Sequence, residues 1–166
     1  MTCRLIVQQF VTLDGYPAGL DGSMEFMASA AGGPAHAPGH VLETEQEPVA
    51  DQLNATPKLV FSGTLERAPW GKWDEATVVN GDATAHICKL KSEAGKNLIL
   101  WGSLSLAQAL GTAGLTDEYQ LWVCPAVLRE GRTVWAKSLG PADLELLAVK
   151  SCGSGVAQLR SSTGKS

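Results

Sequence analysis

The stretch from Asn97 to Leu128 limits the possible folds more than any other. Leu98 to Trp101 is a continuous apolar run, too short for a helix and closed by Gly102, and it reads as a buried strand. Gly102 breaks that strand, and Ser103 is placed to cap a helix whose apolar positions include Leu104, Ala107 and Leu110. Gly111 and Gly114 offer stops for the helix. Tyr119 to Cys124 reads as the next strand, ended by Pro125. A Gly-Ser turn at a strand's carboxyl end aims backbone amides and a helix dipole at whatever sits there, which suits a phosphate. The alternative is a structural turn that needs Gly for close packing, and with no Gly-x-Gly-x-x-Gly spacing present the spacing alone favours that alternative.

The remaining chain builds around this unit. Arg4 to Val11 is a strand with partly continuous apolar positions, as expected of one covered on both faces. The loop after it holds Gly15, Pro17, Gly19 and Gly22, which let a backbone approach a ligand closely or simply connect two elements. Met24 to Ala31 suits a short helix, and the Pro- and Gly-rich run to His40 reads as coil. His36 and His40 have the spacing of two ligands on one helix face, but the prolines and glycines around them deny that helix, so no metal site is expected. Glu43 to Asn54 is acidic, with helical character from Val49 to Leu53.

Lys58 to Ser62 is a second strand, running into Gly63 and Thr64. Ala68 to Trp73 reads as a loop whose tryptophans cover a core edge, and Thr77 to Asn80 as a short strand. A helix opened by Gly81-Asp82 carries Ala83, Ile87 and Leu90 on one face and stops at Gly95; His86 lies on it as a solvent-facing residue. Leu144 to Val149 and Val156 to Arg160 form a terminal hairpin, followed by a polar tail over 161–166. This order predicts one domain over 1–160, an α/β fold with a mostly parallel sheet and an antiparallel C-terminal hairpin. Ligands in such sheets sit outside the carboxyl ends of the strands, where Leu13-Asp14-Gly15, Ser62-Gly63-Thr64 and Gly102-Ser103 all fall.

Composition narrows the partners. The net charge is −4, with no Lys/Arg cluster, which argues against a nucleic-acid or anionic-membrane partner. No apolar run approaches a membrane span, and no charged-then-apolar leader opens the chain. Cys3, Cys88, Cys124 and Cys152 are scattered among apolar residues, as in a reduced cytoplasmic protein rather than a disulfide framework or zinc site.

Five segments then carry a resemblance that spans nearly the whole chain in order: Val11-Thr-Leu-Asp-Gly-Tyr-Pro-Ala-Gly19, Pro57-Lys-Leu-Val-Phe-Ser-Gly-Thr-Leu65, Leu100-Trp-Gly-Ser103, Gly114-Leu-Thr-Asp-Glu-Tyr119, and Val123-Cys-Pro-Ala-Val-Leu128 with Gly131. The sequence resembles the dihydrofolate-reductase-like family, in the branch related to the C-terminal reductase domain of bacterial riboflavin biosynthesis. The resemblance implies a three-layer α/β fold, NADPH as cofactor, a small-molecule substrate and a homodimer. It places Gly102 and Ser103, flanked by Trp101 and Leu104, at the cofactor pyrophosphate. Ser62, Gly63, Thr64 and Leu65 fall beside the adenosine end. Leu13 and Gly15 fall near the nicotinamide, with Tyr16, Ala18 and Phe26 at the substrate pocket. Asp14 and Glu25 are the acids placed to supply a proton, water being the other source.

Two departures stand out. Family members commonly carry arginine where this chain has Gly63, which removes a bidentate partner for the cofactor's 2′-phosphate. Before residue 57 the family has a strand ending in a Gly-Arg-x-Thr-Tyr-Glu type motif that this chain lacks, as if an internal segment were missing. The expected function is an NADPH-dependent reductase of a small conjugated or heterocyclic substrate. The alternative keeps the fold but not the hydride chemistry, as a small-molecule-binding protein or a cofactor-independent enzyme using the same cleft.

Overall fold

A computed structural model describes residues 3–27, 54–93, 95–152 and 155–164. His36, His40, the acidic stretch before Asn54, most of the helix expected over 24–31 and most of the region of the expected missing segment lie outside these residues. Contacts divide the chain into two compact units, Met1–Ala37 with Thr84–Ser166, and Pro38–Ala83. This is a finer division than the single domain expected over 1–160.

The larger unit is built on a five-stranded sheet. Its elements are β1 (Leu5–Thr12), α1 (Ala83–Ser92, whose first residue ends the smaller unit), β5 (Leu98–Trp101), α2 (Leu104–Thr112), β6 (Glu118–Cys124), β7 (Glu145–Ser151) and β8 (Ala157–Ser162). The smaller unit holds β2 (Leu59–Phe61), β3 (Ala68–Trp70) and β4 (Trp73–Val79). In the five-stranded sheet the order is β5-β1-β6-β8-β7. β1 lies between two parallel neighbours, with Val7 opposite Leu100 on β5 and Tyr119 on β6. β6 pairs antiparallel with β8, and β8 with β7. The mixed α/β architecture and its C-terminal hairpin follow the expectation, and β8 runs two residues into the segment taken for a tail.

The two faces of this sheet differ. Leu5, Val7 and Val11 of β1 are buried, as are Ala107 and Leu110 of α2. Gly111 of α2 faces the Tyr119 hydroxyl so closely that a β-carbon there would sit 3.0 Å from it. On the other face Phe10 and Trp122 stack with centroids 5.3 Å apart, beside a cluster of Phe26, Cys124 and Val156. The same face turns polar towards the amino end of β6. There Gln8 donates to Gln120 at 2.8 Å, Gln120 donates to Glu118 at 2.8 Å, and Arg160 donates to Glu118 at 2.7 Å. Arg4 closes on the other Glu118 oxygen at 3.1 Å without hydrogen-bond alignment. Burial pushes the pKa of the Glu118 carboxyl up, but the Arg160 and Gln120 hydrogen bonds and the two guanidinium charges outweigh it, leaving the group below its usual range.

In the smaller unit β2 runs parallel to β4, and β3 antiparallel to it. The stretch expected to be a loop at Ala68–Trp73 is instead a hairpin. Gly71, at φ 56, turns the chain in two residues, and Pro69 sits on the edge strand, where a missing donor costs little. Trp70 is held by Asn54, which accepts from its indole at 2.9 Å, and by the Lys58 ammonium 5.1 Å from its ring centre. Both contacts give Trp70 a structural role.

Candidate functional site

The parallel strands β5, β1 and β6 end at Trp101, Thr12 and Cys124, and the segments following them carry most of the expected site residues. After β5, Gly102 adopts φ 83, a left-handed conformation that an L side chain resists by about 1–2 kcal/mol. The buried Gln9 side chain donates to the Gly102 carbonyl and ties the turn to β1. Ser103 then opens α2, its carbonyl accepting from Ala107 at 3.0 Å. Its hydroxyl makes no capping hydrogen bond, against the expectation that Ser103 would cap this helix, and no acidic residue lies in the first turn. A β-carbon on Gly102 would meet nothing within 4 Å. The helix thus presents its positive end with no side chain of its own across it, and the turn faces open space. Trp101 and Ser103 are exposed, and Leu104 is half-buried.

Leu104 also lines a groove of about 610 Å³ between α2 and residues 131–138, with Ser105, Gln108, Arg132, Thr133 and Lys137 among its walls. The Gln108 amide donates to the Thr133 carbonyl at 2.7 Å and fixes one wall. Two cations on an open groove beside a helix N-terminus favour an anionic ligand.

The loop after β1 is braced, not free. Asp14 accepts from the Thr12 hydroxyl at 2.6 Å and from the Leu128 and Arg129 amides at 3.2 and 2.7 Å. The Thr12 hydrogen bond, joined by those two amides, lowers the Asp14 carboxyl below its usual range against the opposing effect of burial. Asp14 was expected to supply a proton. A carboxylate saturated with donors and held ionised is poorly suited to that, and the geometry makes it a clamp between the loops after β1 and β6. Arg129, at φ 70, is the strained residue held by the clamp. Nearby, the Ala18 carbonyl accepts from the Arg132 amide at 2.8 Å. Gly131 is required there, because a β-carbon would lie 2.4 Å from the Ala18 oxygen and 3.1 Å from Tyr16. Leu13, Asp14 and Gly15 are exposed, Tyr16 is half-buried and Ala18 is buried.

Two other expected residues stand apart. Phe26 was expected at the substrate pocket, yet it is buried in the core cluster with Cys124 and Val156, so its ring serves packing. Glu25 is exposed and lies on neither wall of the groove. The Ser62 turn belongs to the smaller unit. Its hydroxyl accepts from the Thr64 and Leu65 amides at 3.2 and 3.1 Å, so it satisfies its own donors. Gly63 has open space at its β-carbon position and no left-handed φ. Gln9, Thr12 and Arg132 were not among the expected site residues. A buried amide and a buried hydroxyl on an otherwise apolar strand were the available signals for the first two.

Known proteins place this geometry in context. The family model of the RibD C-terminal domain matches residues 35–158, most of the chain. The chain belongs to the RibD C-terminal domain family. An uncharacterized Bacillus subtilis protein, YyaP, is 29% identical over 117 residues, covering 70% of this chain and 60% of that protein, so the chain spans less than two thirds of this curated relative. A solved structure of a putative riboflavin biosynthesis protein from Shewanella sp. PV-4 matches with a TM-score of 0.69 at 18% identity, over 98% of both chains. A pyrimidine reductase-like protein from Corynebacterium diphtheriae matches with a TM-score of 0.56 at 12% identity, over 96% of this chain and 91% of that one. These likenesses establish the dihydrofolate-reductase-like fold. The uncapped helix at Gly102 occupies the position that the sequence resemblance assigns to a cofactor pyrophosphate.

Proposed function

We propose that the protein is an NADPH-dependent reductase that acts on a small conjugated or heterocyclic molecule. The observation that carries this reading is the Gly102–Ser103 turn, where a left-handed glycine faces open space and α2 has no side-chain cap. Gly102, Ser103 and Leu104 would hold the pyrophosphate through main-chain amides, and NADPH when bound supplies hydride. Gln9 fixes the turn from below, and the Asp14 clamp, Gly131 and Ala18 set the shape of the loop beneath the reacting end. With Asp14 held ionised, the proton for the reduced product comes from water. The four cysteines Cys3, Cys88, Cys124 and Cys152 are free thiols, which supports a reducing, cytoplasmic setting. Among the described residues no helix is long and apolar enough to cross a membrane.

One observation favours the alternative of a binding protein without hydride chemistry: Gly63 offers no cation to a 2′-phosphate. Titration of the purified protein with NADPH and NADH, followed by nicotinamide fluorescence, separates the two. Micromolar NADPH binding that weakens on replacing Gly102 or Ser103 supports the reductase. No binding of either cofactor at millimolar concentration overturns it.

A further inference from the structure

The groove of about 610 Å³ lies wholly within the larger unit, with α2 on one side and residues 131–138 on the other. That volume is in the range of small-molecule sites. Its α2 wall is one helix face, since Leu104, Ser105 and Gln108 recur at spacings of three and four. The facing wall is tied down along its length. The Arg132 amide donates to the Ala18 carbonyl at 2.8 Å, and the Gln108 side chain to the Thr133 carbonyl at 2.7 Å. Val134 is buried, and the Trp135 ring meets the Tyr119 ring edge-on with centroids 4.6 Å apart. The Leu139 amide then closes a turn onto the Ala136 carbonyl at 3.0 Å. A wall fixed so often holds its side chains in place before a ligand arrives.

The chemistry of this lining is one-sided. Arg132 and Lys137 supply only donors, and the lining holds no carboxylate among the described residues. The Thr133 hydroxyl accepts from the Trp135 amide at 3.1 Å, which leaves its own proton to give. Neither Arg132 nor Lys137 belongs to an ion pair among the described residues. Asp21 stands outside the lining, and hydrogen bonds from Ser23 hold its carboxyl below the usual range far more than the Arg132 charge does. In a chain of net charge −4, two such cations lining one recess are a local reversal of sign. Leu104 and Ala136 add apolar surface to the same groove.

We propose that this groove holds the substrate by an anionic substituent, a phosphate monoester or a carboxylate, carried on a small ring. Arg132 and Lys137 meet the acid group, the guanidinium as a planar fork and the ammonium as a point charge, and Leu104 and Ala136 meet the ring. The assignment rests on the reductase reading in taking the occupant to be the molecule reduced. Leu104, shared with the cofactor turn, then sets that molecule beside the cofactor. Recognition of the acid by the groove itself needs no cofactor.

Titration of the isotope-labelled full chain with phenyl phosphate, benzoate and the neutral benzamide, followed by amide NMR shifts, tests the groove. At least one of the two acids binds below about 10 mM and shifts the amides of Ser105, Gln108, Thr133 and Lys137, whereas benzamide does not. The tighter of the two acids identifies the substituent. Arg132→Gln and Lys137→Gln each weaken that binding at least about threefold. Lys89→Gln, which removes the same charge from an exposed position on α1, changes it less than about twofold. Saturating NADPH leaves the acid bound. Displacement of the acid by NADPH, binding of benzamide as tight as that of benzoate, equal losses from all three variants, or no shift with either acid at about 10 mM overturns the proposal. Acid binding in a protein that takes up no NADPH upholds the groove as an anion site and overturns the reductase reading alone.

Discussion

Two turns in this molecule end parallel strands with a glycine and a hydroxyl residue, and they treat their amides in opposite ways. After β2, the Ser62 hydroxyl accepts from the Thr64 and Leu65 amides, so the turn is complete in itself. After β5, the Ser103 hydroxyl caps nothing, and the amides opening α2 are left to the solvent or a ligand. The backbone at Gly102 is left-handed, whereas that at Gly63 is not. A hydroxyl beside a glycine is therefore no sign of an anion site until the destination of the neighbouring N–H groups is known.

The largest expected effect comes from Gly102→Val. Valine resists the left-handed region by about 1–2 kcal/mol and fills the space before the turn, so NADPH affinity falls at least about tenfold in a fluorescence titration. Unchanged affinity would mean that the open turn is not where the cofactor sits. Gly63→Arg comes next. Open space and an ordinary φ allow the side chain, and if the turn lies at the cofactor's adenosine end, as the family resemblance implies, the guanidinium tightens NADPH binding by up to about tenfold while leaving NADH alone. Equal gains for both cofactors would show a general charge effect. Ser62→Ala removes the acceptor that completes its turn and lowers stability by about 1 kcal/mol in urea unfolding, with little change in cofactor affinity. A loss of binding as large as that of Gly102→Val would erase the contrast between the turns.

The smallest effect concerns Asp14, another group whose bonding capacity is met internally. Its folded pKa is lowered, so the clamp stabilises the protein above the unfolded carboxylate range, near pH 4, and that contribution disappears as pH falls through the folded value. In Asp14→Asn the contribution is absent at neutral pH. Unfolding curves of wild type and variant should therefore differ most near pH 7 and converge once the pH has fallen below the folded value. A constant difference across that range would show that the clamp does not titrate.

The strands β1, β5 and β6 were legible because each is written as a run of apolar residues, but β5 is an edge of the sheet and leaves Ile99 and Trp101 more than half exposed, against the expectation of a buried strand. The terminal hairpin was legible from its glycine-rich turn. The Trp70–Trp73 hairpin was not, because Pro69 and Gly71-Lys72 carry coil signals that an edge position makes harmless. Phe26 illustrates a different limit. Its place in a resembling segment suggested a pocket wall, whereas only the packing of Cys124 and Val156 shows it to be core. Asp14 was singled out for proton transfer, whereas its hydrogen bonds make it a clamp between two loops. Two of its donors are main-chain amides more than a hundred residues away, which no local pattern can show.

The Glu118 carboxylate has a consequence for how the chain becomes a folded protein. Its guanidinium partners come from Arg4, just before β1, and Arg160, in β8, so residues 156 positions apart meet on one buried charge. While the chain is still emerging in synthesis, β1 and β6 can align before β8 exists, and the carboxylate is then sheathed on one side only. Sealing the sheet against water must await Arg160. The last strand thus acts as a latch, and a nascent chain stalled before it would expose this half-closed sheet to proteases and to other unfinished chains.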